Sequence, residues 1–315
     1  MAVRVLLNYD ASDEYLSRVA AVSERILVEK ASSREEGPAR AAEAEVILAG
    51  RWSEELWRAA PRLRWVQCWG AGVERFMSPE FVASPIVLTN ARGIYALPIA
   101  EHVLAFLLHF ARGLGGLVRH QLQHEWARAS VAEVNGLTLG IVGLGGIGSE
   151  VARRAKAFGM RVLAVRRRPD RPSPFAEEVR GSDALPWLLA ESDFVALCTA
   201  LTPQTRHLIA EPELRQMKPT AYLINIGRGG LVDEAALIAA LQEGRLAGAG
   251  LDVFEREPLP PDSPLWDMPN VLVSPHLAGS SPRSHARLME LFCENLRRYL
   301  AGEELRNVVD KAAGY

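Results

Sequence analysis

The chain has 315 residues, 49% hydrophobic and 23% charged, with a formal net charge of −2. That length suits about two domains with a sizeable core, and no field of one charge sign calls for a nucleic acid or a membrane surface as partner. Cys68, Cys198 and Cys293 are too few and too far apart for a disulfide framework or a cysteine-based zinc site, so a reducing cytoplasm and no metal are expected.

The first apolar run, Val3 to Leu7, turns polar at Asn8 and is too short for the core of a signal peptide. Further short runs follow at Arg25 to Val28, Val46 to Ala49, Trp65 to Cys68 and Ile86 to Leu88, separated by helix-like stretches such as Ser53 to Ala60. This alternation predicts a parallel sheet covered by helices. A long apolar helix is expected from Pro98 to about Arg112. Pro98, Glu101, His102 and His109 interrupt that region too often for a membrane span. Its stripe of Ile99, Val103, Phe106, Leu107 and Phe110 reads as core or as a dimer surface. His120 and His124 have the spacing of a helical metal pair, but with no third ligand they read as a solvated helix face.

The next segment carries the most information. Gly143-Leu144-Gly145-Gly146-Ile147-Gly148 follows the strand-like run Leu137 to Val142 and opens a helix whose Ile147, Val151, Ala155 and Phe158 fall at helical spacing. In that setting Gly143 permits a tight turn, Gly145 lets backbone approach a pyrophosphate, and Gly148 lets the helix pack close to the strand. The helix N-terminus then offers unpaired N–H groups to phosphate. An acidic residue that binds the ribose 2′-hydroxyl normally ends the next strand, roughly 20 residues on. Here the strand Arg161 to Val165 ends in Arg166-Arg167-Arg168, whose guanidinium groups suit a 2′-phosphate. NADP(H) is therefore favoured, with NAD(H) the alternative.

More strands are expected at Phe194 to Cys198, Ala221 to Ile226, Gly248 to Val253 and Val271 to Val273, and a helix at Asp233 to Gln242 with Asp233 as N-cap. A last helix is expected at Arg283 to Leu300. The whole reads as α/β, two doubly wound parallel-sheet domains. One, residues 96–282, binds the dinucleotide; it is inserted into the other, residues 1–95 and 283–315, with the active cleft between them. Three strand ends of the inserted domain carry a cation, an acid and an imidazole. Arg228 can grip a carboxylate with a planar fork. Glu257 lies just beyond a strand, and His276 follows Ser274-Pro275. A carboxylate set against an imidazole orients it as a proton donor. Spacing alone does not choose between Glu255 and Glu257 for that place.

These motifs resemble those of the D-isomer-specific 2-hydroxyacid dehydrogenases. The likeness covers essentially the whole chain. It rests on the glycine motif, Asn225-Ile226-Gly227-Arg228-Gly229, Leu251-Asp252-Val253 leading to Glu257-Pro258-Leu259, Ser274-Pro275-His276, and Asn307-Val308-Val309-Asp310. Within the family the chain looks like the glyoxylate/hydroxypyruvate reductase branch, because Arg166 and its neighbours replace the acid of NAD-dependent members. The resemblance implies a Rossmann domain inserted in a flavodoxin-like substrate domain, a homodimer, and reduction of a small 2-oxoacid by NADPH to the D-2-hydroxyacid. By the same likeness His276 is the acid/base, Glu257 rather than Glu255 its partner, and Arg228 the substrate anchor. Gly70, Ala71, Gly72 and Val73 would offer backbone N–H groups to the substrate, although Glu74-Arg75 follows them where the family has an aspartate or asparagine. Asp252 would hold the nicotinamide carboxamide. Cys198, Ile226 and Gly227 would line the cofactor beside Gly143, Gly145, Gly146, Ile147 and Gly148, with Gly279 next to it. Two alternatives stay open: an NAD-dependent biosynthetic dehydrogenase, and a dinucleotide-sensing corepressor that keeps the same three side chains. Trp52, Trp69 and Tyr95 are candidates for shaping the substrate pocket.

Overall fold

The computed structural model describes residues 2–314. Residues up to Tyr95 form one compact unit with those from Ser281 onward, and Ala96–Ser280 form a second.

The first unit runs β1 (Val3–Leu7), α1 (Asp13–Ala20), β2 (Ile26–Lys30), α2 (Glu36–Ala41), β3 (Val46–Ala49), α3 (Glu54–Arg58), β4 (Trp65–Cys68), α4 (Pro79–Ala83) and β5 (Val87–Thr89). Its strands lie parallel in the order β2-β1-β3-β4-β5, the flavodoxin-like arrangement. Serine N-caps start four of its helices: the side chains of Ser12, Ser53, Ser78 and Ser281 accept from the N–H of Tyr15, Leu56, Phe81 and Ser284. The C-terminal helix Pro282–Ala301 closes the core, packing Met289, Phe292 and Leu296 with Val5, Leu7 and Trp65. Its Asn295 is fully buried and joins a polar ladder that no solvent reaches. Trp65 Nε1 donates to Thr89 Oγ1 at 2.8 Å, and the Thr89 hydroxyl to Gln67 Oε1 at 2.8 Å. Asn295 Nδ2 donates to the same Gln67 oxygen at 3.3 Å. Because each buried polar group finds a partner, the ladder holds β4 in place instead of destabilising the interior.

The second unit runs α5 (Ala96–Ala111), α6 (Leu114–Leu122), β6 (Thr138–Val142), α7 (Gly146–Ala157), β7 (Arg161–Val165), β8 (Glu178–Arg180), α8 (Leu185–Glu191), β9 (Phe194–Leu197), α9 (Glu211–Leu214), β10 (Tyr222–Asn225), α10 (Glu234–Gln242), β11 (Gly248–Leu251) and β12 (Val271–Val273). The sheet is parallel, ordered β12-β11-β10-β9-β6-β7-β8. Counted within the unit, this is the Rossmann order with one strand added at an edge. The order reverses between β6 and β9, so a ligand crevice is expected where Gly143 and Cys198 end those strands. The chain is thus α/β with two doubly wound parallel sheets.

Two features of the second unit depart from the sequence pattern. β8 was not expected, because its Glu178 and Arg180 are charged and pair at 2.7 Å on an edge strand, where no apolar alternation is needed. Phe158 leaves the buried face of α7 for the C-cap and is half exposed, while Met160 takes the core position. Of the two readings of the α5 stripe the core one holds: Ile99, Val103, Phe106 and Leu107 are buried within this unit, and Phe110 is half-buried, stacked on Tyr222. Gly250 on β11 makes that close packing possible, since a Cβ there would lie 2.8 Å from Phe106 Cγ. Beyond Leu97 at the start of α5, exposed apolar residues cluster further on, at Leu114, Leu117, Val118, Leu122 and Trp126. Among the described residues no single helix is long and apolar enough to cross a membrane.

Burial holds the imidazoles of His102, His109 and His285 below the usual histidine range; Asp252 partly opposes this at His102, and Arg119 adds to it at His109. In the unfolded chain each takes up its proton near pH ~6.5, before the folded state does. The unfolded state then binds more protons, so stability falls as pH drops from there toward the lowered folded values. The melting temperature is expected to be lower at about pH 5.5 than at about pH 7.5. A flat thermal profile over that range would contradict the burial of these rings.

Candidate active site

The glycine motif forms the turn between β6 and α7. Gly143 has φ +99°, a conformation side chains rarely adopt, and a Cβ on Gly148 would lie 2.2 Å from the Gly143 carbonyl oxygen. Gly145 and Gly146 face open space, where a Cβ would meet nothing within 4 Å. No side chain caps α7, so its first N–H groups remain for an anion. Ile147 is half-buried on the first turn.

Arg166 follows β7 and bends back toward this turn, its Nη1 donating to Leu144 O at 3.4 Å. Its Nε and Nη2 are buried without a partner. A charged donor left in that state costs roughly 1–3 kcal/mol or more, so the position suits an acceptor-rich ligand. Arg167 and Arg168 are exposed. The open glycine turn, the uncapped helix and the unpaired guanidinium donors together fit a dinucleotide phosphate. At the neighbouring strand end, Cys198 is part-exposed as a residue, but burial pushes its thiol up to about 12, so it is a packing group and not a nucleophile at neutral pH.

Beyond β10, Ile226 is buried and Gly227 and Arg228 are half-buried. Asn225 staples this turn: its Oδ1 accepts from Gly227 N at 3.1 Å and its Nδ2 donates to Arg228 O at 3.0 Å. Arg228 Nη1 donates to Gly227 O at 2.7 Å, which sets the guanidinium plane. Gly229 lies against the chain after β11, and a Cβ there would sit 1.8 Å from the carbonyl carbon of Phe254. This contact locks the Arg228 turn to the segment that carries Glu257.

Glu257 Oε1 accepts from Phe254 N at 3.1 Å, and its Oε2 lies 2.7 Å from His276 Nδ1. With Nδ1–H given to the carboxylate, Nε2 is the nitrogen left to exchange a proton. The His276 side chain is 49% exposed, open enough to meet a substrate. Glu255 is elsewhere, 2.7 Å from His207 Nε2, so geometry separates the two carboxylates that spacing did not. His120 is likewise occupied, its Nδ1 2.9 Å from Glu125 Oε2. Asp252 is buried, and its carboxylate accepts from Ser274 Oγ at 2.5 Å, Leu277 N at 2.9 Å and Ala278 N at 2.9 Å. Gly279 follows directly and is half-buried.

In the first unit, Gly70, Ala71, Gly72 and Val73 form a loop after β4 whose carbonyls are held one by one. Tyr95 Oη donates to Trp69 O at 2.7 Å, Ala91 N to Gly70 O at 2.9 Å and Asn90 Nδ2 to Ala71 O at 2.9 Å. Cys68 Sγ contacts Gly72 O at 3.5 Å. In a trans peptide the N–H points opposite the preceding C=O, so the N–H groups of Gly70 to Val73 face away from these bonds. Trp69 itself packs with Tyr9 and His285, ring centroids 4.6 and 4.8 Å away. Trp52 instead packs on Phe76 and Phe81. Two participants were not singled out from sequence. His285 follows a turn of polar residues, and His102 sits inside an apolar helix. The signal for His102 was its place one turn before Phe106, on the face of α5 that meets the sheet.

Known proteins agree with this architecture. The family model for the D-isomer specific 2-hydroxyacid dehydrogenase NAD binding domain matches residues 104–278. The glyoxylate reductase of Korarchaeum cryptofilum is 42% identical over 276 residues, covering 84% of this chain and 81% of that protein. The NADPH-dependent glyoxylate/hydroxypyruvate reductase of Sinorhizobium meliloti, solved with NADP and sulfate, superposes with TM-score 0.88 at 29% identity, covering 99% of this chain and all of that one. The D-lactate dehydrogenase of Aquifex aeolicus, solved with NAD and lactic acid, gives TM-score 0.82 at 27% identity, covering 97% of this chain and 99% of that one. The chain belongs to the D-isomer-specific 2-hydroxyacid dehydrogenase family and is an NAD(P)-dependent oxidoreductase.

Proposed function

We propose that the protein reduces a small 2-oxoacid of the glyoxylate or hydroxypyruvate type to the D-2-hydroxyacid, with NADP(H) favoured over NAD(H). The observation that carries the reading is the 2.7 Å pair of Glu257 and His276. In this reading the second unit binds the dinucleotide and the first the substrate. Arg228 of the second unit anchors the substrate carboxylate with its fork, and the N–H groups of Gly70 to Val73 are the first unit's contacts to substrate. The orientation this imposes, together with stabilisation of negative charge growing on the carbonyl oxygen, lowers the barrier. His276 delivers its Nε2 proton to that oxygen while Glu257 keeps the ring from turning. When bound, the nicotinamide supplies the hydride. Asp252, Cys198, Ile226, Gly227 and Gly279 border the nicotinamide end, and the glycine turn holds the phosphates.

The NADP(H) preference rests on Arg166, whose unpaired buried donors suit a 2′-phosphate. NADPH is expected to be used better than NADH with glyoxylate and hydroxypyruvate. Arg166→Ala should weaken NADPH by about 10-fold while changing NADH little, the scale of one lost charge-assisted contact. A matrix of both cofactors against a panel of 2-oxoacids checks this. Equal loss with both cofactors would place Arg166 outside 2′-phosphate recognition, and no turnover with any 2-oxoacid would sink the reductase reading in favour of a dinucleotide sensor. We further propose a homodimer that uses the exposed apolar residues around α6. A cytoplasmic setting is in keeping with the three free cysteines.

A further inference from the structure

We infer that His102, acting through Ser274 and Asp252, is a positioning residue for His276. The inference rests on the reading of His276 as proton donor; it gives Asp252, already placed at the nicotinamide end, a second task, and it gives the half-buried His102 and the buried Ser274 a first one. His276 has φ +52°, in the left-handed region that a side chain with a Cβ enters only under constraint. Asp252 supplies that constraint from both sides. Its carbonyl accepts from His276 N at 2.8 Å, and its carboxylate accepts from the next two amides, Leu277 N and Ala278 N. The turn that aims the imidazole at Glu257 is thus clamped by one aspartate.

The aspartate is clamped in turn. Ser274 Oγ lies 2.5 Å from Asp252 Oδ1 and 2.9 Å from His102 Nε2. An ionised carboxylate only accepts, so the single hydroxyl proton of Ser274 goes to Asp252, and Ser274 must accept from His102. This fixes His102 as the tautomer with its proton on Nε2. The ring is held in place by Phe106, edge to face at a centroid distance of 4.6 Å, and α5 is seated on β11 by the gap at Gly250. The sequence His102 to Ser274 to Asp252 to the His276 backbone therefore runs from the helix that covers the sheet to the proposed proton donor.

The test uses His102→Phe, His102→Gln and His102→Asn in the full chain. Gln places a donor where Nε2 stands, whereas Asn reaches only as far as Nδ1. His102→Phe is expected to lower kcat by about 10-fold or more, as a misplaced catalytic group does, with KM for the 2-oxoacid changed by no more than about twofold. His102→Gln should restore kcat, and His102→Asn should not. An independent readout needs no turnover. In histidine-labelled protein without cofactor, the low-field ring N–H signal of the His276–Glu257 pair should be present in the wild type and in His102→Gln, and lost or broadened in His102→Phe. If His102→Phe does not fold, Ser274→Ala breaks the same link and is expected to show the same kcat loss and the same spectral change. Wild-type kcat and an intact signal in His102→Phe or Ser274→Ala would overturn the inference, as would equal rescue by Asn and Gln. A wild type that reduces no 2-oxoacid would defeat the functional reading, and the spectral arm would still decide the positioning.

Discussion

His276→Ala is expected to cut turnover by about 10²-fold or more, the usual contribution of a positioned general acid, while NADPH affinity stays within about twofold because the variant removes no group from the glycine turn. Glu257→Gln should give a smaller loss in the same direction. The amide keeps the size of the side chain and its contact with Phe254 N, but it no longer offers the charge that holds the imidazole by Nδ1. Stopped-flow turnover with one 2-oxoacid and fluorescence titration with NADPH check both parts. Unchanged turnover in His276→Ala would remove the imidazole from the reaction. A matched loss of cofactor affinity would point instead to a collapsed turn between Ser274 and Gly279.

Gly229→Ala is expected to damage stability and activity together. The added methyl would lie 1.8 Å from the Phe254 carbonyl carbon, 1.9 Å from its oxygen and 2.3 Å from Glu255 N, all of them backbone atoms that cannot rotate away. Overpacking of this sort costs on the order of 3 kcal/mol, the upper end of the common range. Relief requires the turn after β10 to part from the segment after β11, which separates the supports of Arg228 and Glu257. The adjacent position is the control. At Gly230 the same methyl meets only the ends of flexible side chains, Leu201 at 3.3 Å and Arg206 Nη1 at 3.6 Å, so Gly230→Ala should stay near the wild type in both thermal melting and kcat. Equal tolerance at the two sites would show that the loops are not locked to one another.

The sheets were legible in the sequence because apolar runs of three to five residues bounded by turns mean little else in a parallel sheet, and Val3–Leu7, Val46–Ala49, Trp65–Cys68, Arg161–Val165 and Val271–Val273 fall where the pattern puts them. Elsewhere the ends shift by a residue or two. At Val87–Thr89, Thr89 belongs to the strand because its hydroxyl is consumed by Gln67, a partner that local sequence does not reveal. The glycine turn was legible for a related reason: its function demands missing side chains, and a missing side chain can be read directly. The proposed proton relay was legible only in part. Glu255 and Glu257 have the same chemistry two residues apart, and what distinguishes them is that His207, far off in sequence, takes the first. Asp252 was legible as a cofactor contact through family likeness, while its grip on the His276 turn depends on three hydrogen bonds that no spacing rule encodes. The proposed dimer surface shows the limit of composition. The helix Ala96–Ala111 is the more apolar, yet its stripe is spent inside its own unit, and the exposed apolar groups lie on the less conspicuous segment that follows.

The row of fastened carbonyls from Trp69 to Gly72 bears on how such a site can diverge. In the proposed reading, this loop's share of the hold on the carboxylate, beside that of Arg228, is expressed by main-chain amides, and the orientation of those amides is set by Tyr95, Asn90 and the Ala91 backbone, all outside the loop. Within the loop, charge selection and side-chain identity are therefore uncoupled. Replacing Ala71 or Val73 can change which substituent on the 2-oxoacid fits while the acid group is still required, so one scaffold can try new substrates without first losing its hold on the feature they share. An alanine scan across the loop would miss that requirement, because truncating a side chain leaves every amide in place.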